Sequence, residues 1–138
     1  MRVFVDTNVL LDVYLHRPGR LASLHVLTGC VKPGNEGWIA WHSLSNGFYI
    51  VRRTTKLISE AQRFAFELLQ GLSVATVGTI EAQAAVNLKM NDLEDAMQII
   101  AAQACHADII VTRNVSDFGA ARVPVLTPED FLLQFPGF

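Results

Sequence analysis

The chain has 138 residues, of which 51% are hydrophobic and 17% charged, with a formal net charge of −2. That length suits one domain spanning residues 1–138, and the apolar fraction with so little net charge excludes an intrinsically disordered chain. The near-neutral balance excludes a bulk polyanion binder, so a nucleic-acid partner would need a local basic patch, and apolar runs such as Val9–Leu11 and Ile99–Ala102 stop far short of the about 20 residues of a membrane span.

Taken in chain order, Arg2–Val5 is a short β-branched and aromatic run that predicts a buried strand. Asp6 ends it, and Thr7–Tyr14 predicts a helix. Pro18–Gly19 breaks the chain before a second helix over Arg20–Cys30. Lys32–Gly37 reads as a loop, Trp38–Ala40 as a second strand and His42–Arg53 as a helix despite Gly47. Leu57–Gln70 carries the clearest helical stripe, Leu57, Ile58, Ala61, Phe64, Ala65, Leu68 and Leu69, with a period near 3.6. Gly71 is expected to cap it. A third strand is expected over Ser73–Val77, then helices over Thr79–Leu88 and from Asp92 to His106. Strands follow at Ile109–Thr112 and Val123–Leu126. Thr127, Pro128, Glu129 and Asp130 read as an N-cap, an N1 proline and capping acids for a last helix through Phe135. Short apolar strands alternating with helices predict an α/β three-layer sandwich around a parallel sheet.

The opening MRVFVDTNVLLD has one basic residue and an aspartate inside its apolar run, unlike a secretory leader. Cys30 and Cys105 fall in apolar helical patterns and read as reduced core thiols, which predicts a cytoplasmic setting.

In open α/β sheets the site lies at the carboxyl ends of the strands. Asp6 follows the first strand directly, Asp117 lies five residues beyond Thr112, and Asp95 lies in the first turn of the helix leading into that strand. Asp92 shares a helix face with Asp95. Taken singly, Asp6 and Asp92 also read as helix N-caps, Asp95 as a first-turn acid favoured by the helix dipole, and Asp117 as a turn residue. Together they bring carboxylates from three segments to one edge of the sheet. Such a group repels itself unless a cation intervenes, and hard divalent ions choose all-oxygen sites. Mn²⁺ accepts the same ligands. This chemistry suits phosphodiester hydrolysis.

The segments FVDTNVLLDVYL and DLEDAMQIIAAQACHADIIVTRNVSDF, with the β/α alternation, resemble the PIN domain family, many of whose small bacterial members are VapC-type ribonuclease toxins. The resemblance implies strand order 3-2-1-4-5, Mg²⁺ or Mn²⁺, cleavage of single-stranded RNA and an antitoxin partner. By motif match it implies Asp6, Asp95 and Asp117 as metal-binding catalytic acids. It implies Thr112 as the hydroxyl that orients Asp6, and Asn8 as a brace. One position departs from the family. Asn46 stands where a glutamate is usual, Glu36 lies at the wrong end of its strand and Glu60 belongs to the next helix. Asn114 likewise replaces an acid that many relatives lack. Asn46 offers a carbonyl oxygen but no charge, which weakens metal affinity and allows a second reading, a degenerate domain that binds RNA or protein without cutting. A third reading, an aspartyl-nucleophile phosphatase or phosphoacceptor domain, needs a second acid after the first strand and a lysine near the fourth; the chain has Asn8 and no such lysine.

Arg113, beside the expected cleft, is the best single candidate for a phosphate contact. Arg52, Arg53, Lys56 and Arg63 form the densest basic patch, read either as a solvated surface or as phosphate contacts. His16, His25, His42 and His106 lack ligand spacing; only His42 falls near the cleft. Trp38 and Trp41 read as core, with base stacking the alternative for Trp41. Phe64, Phe66, Leu68 and Leu69 exceed what one helix face needs, which predicts a homodimer or antitoxin interface.

Overall fold

The structure is a computed structural model that describes residues 1–138. Strands β1 (Arg2–Val5), β2 (Glu36–Ile39), β3 (Ser73–Val74), β4 (Ile109–Val111) and β5 (Val125–Leu126) form one parallel sheet of order β3-β2-β1-β4-β5. The helices are α1 (Thr7–Tyr14), α2 (Arg20–Cys30), α3 (Trp41–Thr55), α4 (Ile58–Gly71), α5 (Thr79–Asn87), α6 (Leu93–Ala104) and α7 (Pro128–Gln134), with a 3-10 turn at Val115–Phe118. No helix is long and apolar enough to cross a membrane.

Strand alternation divides the core into two layers. Val3, Val5, Ile109 and Val111 point to one face and pack with Leu10, Leu11, Val26, Phe64 and Phe131. Phe4 and Ile110 point to the other and pack with Ile99, Ala102 and Phe118. Both faces of the central strands are covered, which explains why those strands read as unbroken apolar runs. Cys30 and Cys105 are buried free thiols whose pKa values burial pushes up, to about 12 and about 11.

The expected elements shift at their ends for identifiable reasons. The strand expected at Trp38–Ala40 begins at Glu36, because Glu36 pairs with Arg2 and its N–H donates to the Met1 carbonyl at 2.9 Å. Ala40 already turns into α3. The strand expected through Val77 stops at Val74, since β3 is an edge strand and the Ala75 N–H makes its last bond to β2 at Ile39. Val123 and Pro124 likewise precede the pairing of β5, and Thr112 follows that of β4. The helix expected to reach His106 ends at Ala104, and His106 takes a left-handed φ of 53°.

Two glycines are explained by close approach. Gly47 lies inside α3 because the Phe64 ring of α4 occupies the space a Cβ would fill. Gly71 is the last residue of α4 and not its cap; Leu72 leaves the helix in extended conformation. A Cβ on Gly71 would stand 2.9 Å from Val31 Cγ1.

Candidate active site

β1 is the central strand, and its carboxyl end delivers Asp6 into the space between α1 and α6. Asp6 is 2% exposed. It stands at the N-cap position of α1, yet its side chain accepts no hydrogen bond as a cap. Its carboxylate turns instead to two neutral donors. Thr112 Oγ1, one residue past β4, donates to Oδ2 at 2.8 Å. Gln98 Nε2 of α6 donates to Oδ1 at 2.9 Å. Burial raises the Asp6 pKa, and the hydrogen bonds from Gln98 and Thr112 offset only part of that.

Gln98 went unnoticed in the sequence. It lies three residues after Asp95 and four after Glu94, on the same helical face and among apolar neighbours, and that placement was the available signal. It is fully buried. Its amide orientation follows from its partners: Asp6 Oδ1 and Glu94 Oε1, the latter at 3.1 Å, are both acceptors, so Nε2 must face them. Gln98 Oε1 is then left buried without a partner. An orphan acceptor of this kind costs on the order of 1–3 kcal/mol and fits a site completed by a group from outside the chain.

Glu94 is the second residue that sequence reasoning missed. It accepts from Gln98 and, at 3.4 Å, from Thr7 Oγ1, which is itself held 2.8 Å from Ser43 Oγ of α3. His42 Nε2, buried and unpaired, lies 3.6 Å from Glu94 Oε1. Glu94 and Asn46 line the same cavity of about 280 Å³, together with Thr7 and Asn8. Asn8 Oδ1 accepts from Arg17 Nη1 at 3.4 Å.

Asp95 occupies the first turn of α6. Its carboxyl is pushed up to about 6, first by burial and then by repulsion from Asp92, Glu94, Asp6 and Asp117. The structure thus brings the acids expected from the sequence within electrostatic reach of one another. Asp117, in the 3-10 turn, is exposed at the rim. Asn114 precedes that turn; its N–H donates to Thr112 Oγ1 at 3.1 Å and its carbonyl accepts from the Asp117 N–H.

Two expected roles change. Asp92, expected among the metal-binding acids, is the N-cap of α6: its side chain accepts from the Glu94 N–H at 2.8 Å. Arg113, expected to meet phosphate, has all five N–H donors engaged within the fold. Nε donates to Asp12, Nη1 to both oxygens of Glu129, and Nη2 to the Gly19 carbonyl and Ser23 Oγ, each at 2.8 Å. Burial disfavours its charge, but the bonds to Glu129 and Asp12 outweigh that and raise its pKa. Trp41 is also not core; it is 69% exposed beside the site.

The carboxylates of Asp6, Asp95, Glu94 and Asp117 supply oxygen donors of the kind a hard divalent ion takes. The orphan Gln98 oxygen and the mutual repulsion around Asp95 both fit such an ion. No three carboxylate, imidazole or thiol groups are drawn together into a finished chelate.

A family model described as PIN domain matches residues 2–116. The chain belongs to the PIN domain family. No curated protein sequence matches it. Among solved structures, it is similar to VapBC2 from Rickettsia felis bound to a DNA fragment from its promoter, with 18% identity, TM-score 0.71 and coverage of 91% of this chain and 97% of that one. It is similar to VapBC-1 from nontypeable Haemophilus influenzae, with 13% identity, TM-score 0.72 and coverage of 94% and 99%. It is also similar to Mycobacterium tuberculosis VapC20, described as a toxin that cleaves the sarcin-ricin loop, with 15% identity, TM-score 0.71 and coverage of 88% and 95%. At these identities the likeness is one of fold, and this PIN domain shares the fold of those proteins.

Proposed function

We propose that this PIN domain is a Mg²⁺- or Mn²⁺-dependent endoribonuclease that hydrolyses phosphodiester bonds of single-stranded RNA in the cytoplasm, as the toxin of a toxin–antitoxin pair. The observation that carries this reading is the buried Asp6 carboxylate held by neutral donors alone, with Asp95, Glu94 and Asp117 beside it and no lysine or arginine paired to any of them. Asp6, Asp95 and Asp117 would hold the ion. When bound, it would supply an activated water and neutralise charge on the reacting phosphate. The chain's own residues do the positioning. Thr112 and Gln98 fix the Asp6 carboxylate through its two oxygens, and Thr7 of α1, itself held by Ser43 of α3, contacts Glu94. Glu94 thereby provides, in the cavity it shares with Asn46, the negative charge that Asn46 lacks.

A protein partner belongs to the same reading. Outer α4 leaves Leu57, Ile58, Phe66 and Leu69 exposed, Phe66 at 66%, while Phe64 and Leu68 fill the core. That stripe suits a homodimer or antitoxin contact.

The test is cleavage of a mixed pool of end-labelled single-stranded RNAs with Mn²⁺, against EDTA and an Asp95→Asn control. Metal-dependent cutting that the substitution abolishes supports the reading. An intact pool moves the assignment to a non-cleaving RNA- or protein-binding module, the reading favoured by Asn46 and by the open arrangement of the acids.

A further inference from the structure

The geometry points to a phosphate-binding track for single-stranded RNA along α3, formed by Tyr49, Arg52, Arg53 and Lys56 and leading into the acidic site. The inference rests on the nuclease reading above. It begins with the helix itself. At 100° per residue, Asn46, Tyr49 and Arg53 fall on one narrow stripe of α3, with Arg52 beside Tyr49 and Lys56 at the C-cap just beyond the helix. The structure joins these into two adjoining hollows. One, of about 300 Å³, is lined by Tyr49, Arg52, Arg53 and Lys56. The other is the cavity of Asn46 and Glu94, and Tyr49 lines both.

The chain's other cations are distributed differently. Arg2, Arg63 and Arg113 are paired with carboxylates, and Lys32 Nζ donates to the Phe138 carbonyl oxygen. Among the rest, Arg17 donates to Asn8, and Arg20, Lys89 and Arg122, without a carboxylate partner, stand on separate segments and gather into no patch. Arg63, which the sequence grouped with this patch, binds Glu60 and Glu67 on α4 and lines a different groove. Arg52, Arg53 and Lys56 have no carboxylate within an ion-pair distance and are exposed. A helix C-terminus favours a cation in its last turn. That accounts for Arg52 and Arg53 in the last turn of α3, not for their gathering with Lys56 around a tyrosine that is 61% exposed. Unpaired cations interleaved with an exposed aromatic suit a flexible polyanion whose bases can stack, which is the chemistry of single-stranded nucleic acid.

The dimensions agree. Asn46 and Arg53 are seven residues apart, about 10.5 Å along the helix axis. A stacked strand with a duplex-like rise of about 3.4 Å per phosphate covers that distance in about three nucleotides, and an extended strand in fewer. RNA bound to the track would therefore meet the acidic site a few nucleotides from its anchoring phosphates, which compensates for the repulsion between its backbone and the carboxylates.

The experiment measures binding of a fluorescein-labelled single-stranded RNA pool by fluorescence anisotropy across a salt series, using the Asp95→Asn chain as the uncut parent. Arg52→Ala/Arg53→Ala/Lys56→Ala should weaken binding about 100-fold near 0.1 M salt and flatten the slope of log K against log salt by about 2. Tyr49→Leu should weaken it about tenfold with the slope unchanged. Lys32→Ala/Arg122→Ala, which removes charge elsewhere, should do neither, and circular dichroism melts confirm that each variant folds. A triple variant with the parent's affinity and slope overturns the track, as does a parent that binds no RNA. The two readings separate cleanly. If the wild-type chain cuts RNA with Mn²⁺ and the triple variant cuts with unchanged KM, the track fails and the nuclease stands. If RNA binds through the patch and is never cut, the track stands and the nuclease fails.

Discussion

Asp6 and Asp12 lie six residues apart around α1 and are almost equally buried, at 2% and 4% exposed. Each is met by one of two consecutive residues beyond β4. Thr112 bonds to Asp6 and Arg113 to Asp12. The difference between the two partners divides the molecule. Around Asp12 the fold supplies a full positive charge, a hydroxyl from Ser23 at 2.8 Å and a second carboxylate from Glu129. The result is a charge-paired knot tying α1, α2 and α7 to the sheet. Around Asp6 the fold supplies neutral donors and adds further negative charge. A buried charge is tolerated when paired and expensive when crowded by its own kind. The first arrangement serves stability; the second leaves room for a cation from outside.

The largest effect should come from breaking the charge-paired side. Arg113→Ala leaves Asp12 buried without its partner, and should cost about 3–4 kcal/mol by urea denaturation. Arg113→Lys keeps the charge but cannot reproduce the five-donor fork, and should fall between. An Arg113→Ala chain that unfolds at the parent's urea midpoint but shows a raised KM for RNA would return Arg113 to the substrate. Next comes the charge that Asn46 lacks. A unit pair near 4 Å is worth about 4 kcal/mol at an effective dielectric near 20, doubled for a divalent ion and mostly cancelled by desolvation. Glu94→Gln should therefore weaken Mn²⁺ binding by roughly 10–100-fold in calorimetric titration. Asn46→Glu placed in that background should restore most of it, because both side chains line one cavity. Failure of the second change to rescue the first would separate the two positions.

How much of this was legible depends on whether the partner lay within the same stretch of chain. β1, α1 and α2 appear at their expected limits, because their apolar periods and breakers are local. Asp6 stands where a strand ends, so the topology rule places it at the site, and the family resemblance supplied Thr112 as its partner. Arg113 was misplaced because its partners, Asp12, Gly19, Ser23 and Glu129, lie in three distant segments. Nothing in the local pattern of Asp12 marks it as buried and paired. Glu94 and Gln98 were missed for another reason. Next to Asp95, Glu94 resembles an ordinary first-turn acid, and Gln98 a solvent-facing amide. Only the packing of α6 against β1 turns both toward Asp6. Glu94 is far from Asn46 in sequence and lines the same cavity only in the folded chain.

The smallest effect reverses the usual sign of an aspartate's contribution, and so distinguishes the two sides most sharply. The Asp95 carboxyl rises from 3.8 to about 6 in the fold. Between those values the folded state retains a proton that the unfolded chain has released. Metal-free stability should therefore fall as pH rises through that window. Glu129 behaves oppositely: burial alone would raise its pKa, but Arg113 lowers it. Its contribution is present above the unfolded carboxyl pKa and is lost as pH falls. Asp95→Asn removes the repulsion. With a discount for partial solvation it should stabilise the EDTA-treated chain by about 1–2 kcal/mol at neutral pH, and remove the fall between pH 4 and 6. Mn²⁺ should raise the melting temperature of the parent and leave that of Asp95→Asn unchanged. A substitution that instead destabilises the metal-free chain would mean that Asp95 is held by favourable contacts, like Asp12. A carboxylate that costs the fold stability when the site is empty, and recovers it when a cation arrives, is retained for the cation.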